Sequence, residues 1–127
     1  MAVDTADGLM VPVVDNADRR SVHDLAAEIS RLAAAARSRT IAPAELVGGT
    51  CTLNNVGALG ILAGTPILPL GTSTIVAIGA ARSTVRVVNG TPTETPVITI
   101  SGTFDHRLID GGGAARFLHD LCERYQA

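Results

Sequence analysis

The residue of this chain best suited to chemistry near neutral pH is a histidine at position 106. Imidazole changes charge in that range and serves as base or acid. It stands in Phe104-Asp105-His106-Arg107, with Asp110 four residues on and Gly111, Gly112 and Gly113 directly behind. A β-branched run, Val97, Ile98, Thr99 and Ile100, leads in. Ala114, Phe117, Leu118, Leu121 and Cys122 follow at the spacing of one helix face. Strand, tight loop and helix make a rigid mount for a reactive side chain. The glycines let the backbone turn sharply and leave room for a ligand or another chain. The His106/Asp110 pair is a weak signal by itself. Asp110 serves equally well as N-cap of the helix beginning near Gly111, where the helix dipole favours its charge, and His106 is then an ordinary loop residue. The two roles of Asp110 are compatible.

Other reactive side chains carry less. Cys51 has no histidine near it in sequence and reads as a small core residue of a strand. His23 and His119 read as solvated helix residues without the third ligand a metal needs. All ten Lys/Arg residues are arginine, which excludes a lysine Schiff base on this chain.

Composition narrows the class further. At 127 residues the chain makes one domain or part of one, residues 1–127 forming a single unit. It is 46% hydrophobic but only 2% aromatic, so small and β-branched side chains must build the core. A net charge of −2 and a scarcity of rings argue against nucleic acid as a partner. Cys51 and Cys122 lack zinc-type or CxxC spacing. The first residues carry Asp4 and Asp7 instead of a basic, then apolar, leader. The apolar stretch Gly57 to Leu70 is broken by Pro66 and Pro69 and is too short to span a bilayer. The expectation is a soluble, cytoplasmic protein with two free thiols and no membrane partner.

The elements follow from pattern. Leu9 to Val14, holding Pro12, reads as an edge strand or strand start, and Asp15 to Asp18 as a turn. Ser21 with Asp24 resembles a capping box opening a helix to about Ser38, with Val22, Leu25, Ile29, Leu32, Ala33 and Ala36 on its apolar face. Pro43 opens a single helical turn that Gly48-Gly49 ends. Thr50 to Leu53 alternates as a strand and runs into a turn-rich loop, Asn54-Asn55-Val56-Gly57. Ser73 to Ala81 is a buried strand; Thr84–Val88 and Val97–Phe104 flank Asn89-Gly90 across a connection longer than a two-residue turn. The sum is α+β, one mixed sheet with helices packed on a face.

Several motifs in order resemble one family. Gly48-Gly49-Thr50-Cys51-Thr52-Leu53-Asn54-Asn55-Val56-Gly57 and the Phe104 to Gly111 stretch are similar to the catalytic domain of the dihydrolipoamide acyltransferases of 2-oxoacid dehydrogenase complexes, which has the chloramphenicol-acetyltransferase fold. Gly8-Leu9-Met10-Val11-Pro12-Val13, Asp18-Arg19-Arg20-Ser21 and Thr65-Pro66-Ile67 match further family segments, so the likeness covers nearly the whole chain. The resemblance implies that His106 is the general base, that Asp110 supports it, and that acyl groups pass between coenzyme A and a thiol. It implies a trimer with active sites between subunits. Arg107 becomes a candidate partner for a carboxylate or a coenzyme A phosphate, and Gly111 a point of close cofactor approach.

The chain also departs from its relatives. Asn54 stands where the family has an oxyanion-stabilising serine; its amide can donate a hydrogen bond, as can the fallback Thr52 one alternation back. The length corresponds to the C-terminal half of the family's domain, so the fold is expected to be truncated. A second polypeptide, or a differently arranged second copy, is expected to cover the bared sheet face. A lipoyl group is expected only on a partner. The last residues, Cys122 to Ala127, lack an apolar tail, which predicts homotrimers over a cage. Two enzymatic readings follow: a split 2-oxoacid dehydrogenase acyltransferase, and a free-standing acetyltransferase on a small-molecule hydroxyl of the kind found in tetronate biosynthesis. A non-catalytic trimeric assembly module is the competing class.

Overall fold

The computed structural model describes residues 1–126. Seven strands and two long helices follow in the order β1 (Val3–Thr5), β2 (Gly8–Met10), α1 (Val22–Ser38), β3 (Cys51–Asn55), β4 (Thr74–Ile78), β5 (Arg82–Val88), β6 (Thr91–Val97), β7 (Ile100–Phe104) and α2 (Gly111–Gln126). Short 3-10 turns lie at Ala17–Arg19, Pro43–Leu46 and Gly57–Leu59.

A mixed three-stranded sheet is the frame, in order β3-β4-β7, with β3 parallel and β7 antiparallel to β4. Central β4 has Thr74, Ile75, Val76 and Ala77 all buried. A strand covered on both faces reads as an unbroken apolar run instead of an alternation, as this one does. Its edge neighbour β3 does alternate: Thr52 is buried while Cys51 and Leu53 face outward. The core expectation for Cys51 is therefore corrected by a period of two: its thiol is exposed, and both cysteines are free.

Helix α1 starts and stops where its sequence says. Ser21 Oγ accepts the Asp24 backbone N–H at 3.1 Å and donates to the Asp24 carboxylate at 2.6 Å. Arg39, in the left-handed conformation, closes the C-terminus. Leu32 and Ala36 are fully buried, but Val22, expected on the same face, is 83% exposed, since it lies in the first turn before the helix reaches its cover. α1 packs on β1, and α2 on β7, where the Phe104 and Phe117 rings meet edge to face at 5.9 Å.

Three other expectations are corrected. The strands form not one sheet but the mixed sheet and two antiparallel hairpins, β1-β2 and β5-β6. β1 was not evident in the sequence, and the expected strand from Leu9 to Val14 shrinks to Gly8–Met10. Asn89-Gly90 is by itself a two-residue turn, with Val88 paired to Thr91 and both turn residues at positive φ (50° and 81°). That geometry matches the natural strand twist and suits Asn-Gly. The expected longer connection, reaching to Pro96, does not form: a strand of a two-stranded hairpin has an unpaired edge, and Pro92 and Pro96, four apart, turn the same way.

At the far end of the sheet two backbones touch. A methyl group on Gly57 would lie 2.6 Å from the Gly79 carbonyl, and one on Gly79 would overlap the Leu62 carbonyl oxygen. Only glycine permits this crossing, which draws the 57–62 loop onto the C-terminal end of β4. Among the described residues no helix is long and apolar enough to cross a membrane.

Candidate active site

The loop after β7 is organised by Asp105. Its N–H donates to the Ser73 carbonyl at 2.9 Å, prolonging the β4–β7 ladder by one rung. Its carbonyl accepts the N–H groups of Leu108 and Ile109, both at 2.9 Å. Its Oδ1 accepts the Arg107 N–H at 3.0 Å and Arg107 Nε at 2.9 Å, while Oδ2 accepts Nη2 at 2.6 Å. The Arg107 guanidinium, followed by the Arg107 backbone N–H, holds the Asp105 carboxyl down at about 2. A carboxylate accepting from the amide two residues on is an Asx-turn, and His106 is its middle residue. Ser73 was missed in the sequence because it contributes a main-chain carbonyl, which no side-chain pattern reports.

His106 projects from this turn into solvent, and among the described residues no hydrogen bond holds its ring. Asp110 caps α2: its Oδ1 accepts the Gly113 N–H at 2.6 Å and its carbonyl accepts that of Ala114 at 2.9 Å. The capping role read from sequence is thus occupied. Gly111, the first residue of α2, has nothing within 4 Å of where a Cβ would sit, so the backbone there is open to close approach. Arg107 has its Nε and Nη2 on Asp105, the carboxylate alternative, yet its side chain is 87% exposed.

The oxyanion candidates lie elsewhere. Asn54 is not a turn residue: β3 runs two residues further than expected, and Asn54 pairs with Ala77 inside it. Ala77 in turn pairs with Ser101, whereas Asp105 bonds to Ser73. Two strand spacings and four residues of rise separate Asn54 from Asp105 by about 16 Å, and His106 lies beyond. Within one chain the two cannot act on one reacting atom. Asn54 is half-buried; Thr52 on the same face is only 4% exposed, so its hydroxyl is sealed from any ligand.

Two clefts, of ≈ 410 Å³ beside Arg20 and Arg31 and ≈ 290 Å³ between Arg86 and Tyr125, contain none of these residues. His23 and His119 are exposed, and among the described residues no group of three His, Cys, Asp or Glu could hold a metal ion.

Known proteins give the frame. The catalytic-domain model of the 2-oxoacid dehydrogenase acyltransferases matches residues 1–126. The acetyltransferase component of the pyruvate dehydrogenase complex of Bacillus subtilis is 41% identical over 121 residues, 95% of this chain and 27% of that protein. The succinyltransferase component of the 2-oxoglutarate dehydrogenase complex of Bartonella vinsonii subsp. berkhoffii is 39% identical over 118 residues, 93% of this chain and 29% of its own length. The crystallographic structure of Azotobacter vinelandii dihydrolipoamide acetyltransferase, in which a serine, a histidine and an asparagine were investigated for their role in catalysis, superposes with a TM-score of 0.84 at 38% identity. It covers 94% of this chain and 49% of that one. The chain therefore spans just over a quarter of its curated relatives and about half of a solved catalytic core. With its mixed sheet, two packed helices and chloramphenicol-acetyltransferase-like fold, it belongs to the family of 2-oxoacid dehydrogenase acyltransferase catalytic domains.

Proposed function

We propose that this chain carries the general-base half of an acyl-transfer site, and that a neighbouring copy completes it. His106 takes the proton of a thiol or hydroxyl as that atom attacks the carbonyl of an acyl thioester. The oxyanion is met by the side-chain N–H of Asn54 from another copy, and as the tetrahedral adduct collapses His106 returns the proton to the departing thiolate. General-base assistance contributes about 10²–10⁴-fold and one oxyanion donor about 10²–10³-fold.

One observation carries the reading. In the Azotobacter enzyme the investigated serine stands 52 residues before the histidine and the asparagine four after it. Asn54 and Asp110 bear those two spacings to His106. The wide intrachain gap between Asn54 and His106 supports assembly between subunits, and the homotrimer implied by the family resemblance would supply it. Thr52, at 4% exposure, is too buried to serve as the oxyanion donor. Coenzyme A is the proposed thioester substrate, with Arg107 and Gly111 at its approach, and dihydrolipoamide the acceptor that the relatives' activities favour over a free-standing hydroxyl acceptor. A partner carrying the rest of the domain would cover Leu59, Ile67 and Leu70, which are 70%, 89% and fully exposed.

The substitution of serine by Asn54 and the exposure of His106 to solvent in one chain favour the non-catalytic assembly module as second reading. Thioester consumption with acetyl-CoA and dihydrolipoamide, for parent and His106→Ala, with and without candidate partner chains, decides. A loss of two orders of magnitude or more upholds catalysis; equal rates leave the assembly module.

A further inference from the structure

We propose that Asp105 is a positioning residue, whose carboxylate, locked to Arg107 across His106, fixes the direction in which the imidazole leaves the backbone. The inference rests on His106 being the base. Since no hydrogen bond holds the ring among the described residues, its aim depends on the main chain at 105–107. That main chain is held on both sides of His106 by one residue. Asp105 N–H ties it to β4 through Ser73, its carbonyl receives Leu108 and Ile109, and its carboxylate binds both the amide and the guanidinium of Arg107. The Asp105 side chain is 12% exposed against 87% for Arg107, so the acid is the fixed member and the arginine folds over it. An anchored carboxylate bridging the residues before and after a base suits placing that base to within about half an ångström, the tolerance of a productive site.

The four bonds to Arg107 separate experimentally into one to its backbone and three to its guanidinium. Asp105→Ala removes the Asx-turn acceptor and the ion pair; Asp105→Asn keeps the acceptor for the Arg107 N–H and loses the charge; Arg107→Ala keeps the turn and loses the fork. The backbone amide order parameters of His106 and Arg107, measured by NMR on the whole chain, should fall from about 0.85 to below about 0.6 in Asp105→Ala. Asp105→Asn should recover most of the order. Turnover should follow, with kcat down about 10²-fold in Asp105→Ala, partly restored in Asp105→Asn, and KM unmoved, as expected for a misplaced catalytic group.

Unchanged order and kcat in a folded Asp105→Ala overturn the inference, and so does a rise in KM alone. If Asp105→Ala does not fold, Arg107→Ala decides on the same two readouts. Turnover that survives His106→Ala sinks the proposed function instead, while the order parameters still judge the loop.

Discussion

Two inactive variants mixed together give the sharpest test of a shared site. On the proposed mechanism, Asn54→Ala and His106→Ala each remove one half of the machinery. The β-ladder registers Asn54 to Ala77 to Ser101, while Asp105 lies at Ser73, so the backbones at Asn54 and Asp105 are about 16 Å apart in a single chain. In the proposed site the base must reach the acceptor's proton and the amide the carbonyl oxygen, each within about 3 Å, so His106 would come from one copy and Asn54 from the next. Mixed one to one and reassembled from denaturant, each site receives an intact His106 half of the time and an intact Asn54 half of the time. About one quarter of the sites then hold both, so activity should return to about 25% of parent, far above either variant alone. Thioester consumption measured across mixing ratios should follow the product of the two fractions and peak at the equal mixture. A flat line at the level of the single variants, with mixed oligomers demonstrated by mass, refutes the shared site.

The Asp105–Arg107 pair predicts an acid dependence. With the folded carboxyl at about 2 against a reference of 3.8, its stabilisation is complete above about pH 4 and is lost as pH falls towards 2. Acid unfolding of Arg107→Ala should therefore show a shallower pH dependence than the parent over that window; identical slopes would deny the pair. Leu32→Ala, at a fully buried position, should cost about 2–5 kcal/mol in urea unfolding without altering the slope, and a loss under 1 kcal/mol would mean α1 is loosely seated. Gly79→Ala should abolish soluble expression or lower the melting temperature by more than Leu32→Ala, because its methyl meets the Leu62 main-chain carbonyl, which cannot rotate away. A variant as stable as the parent would show that the 57–62 loop does not lie on the sheet.

Where local chemistry decides, the sequence was legible. Ser21 and Asp24 announced α1 through a bond of three-residue span, Pro43 its 3-10 turn, and Asp110 the cap of α2. Asn89-Gly90 also announced its turn, but the run on to Pro96 obscured it. Which prolines a strand tolerates depends on which edge is free, and that is a property of the partner. The outward face of Cys51 has the same origin: alternation gives two faces, but only the packing of β3 says which one is inside.

The sequence by itself determined the family and the make-up of the loop around His106, because His106, Asp110 and the glycines lie within eight residues and neighbours on a chain stay neighbours in space. Only the tertiary structure decided that Asn54 sits in a strand at the other end of the sheet. It also showed that Thr52 is sealed and that Asp105, through a carbonyl of Ser73 and a fork with Arg107, holds the turn around His106. The direction of a neighbouring strand and the register of its ladder are set by contacts far apart in sequence, and those fix distances that spacing along the chain cannot.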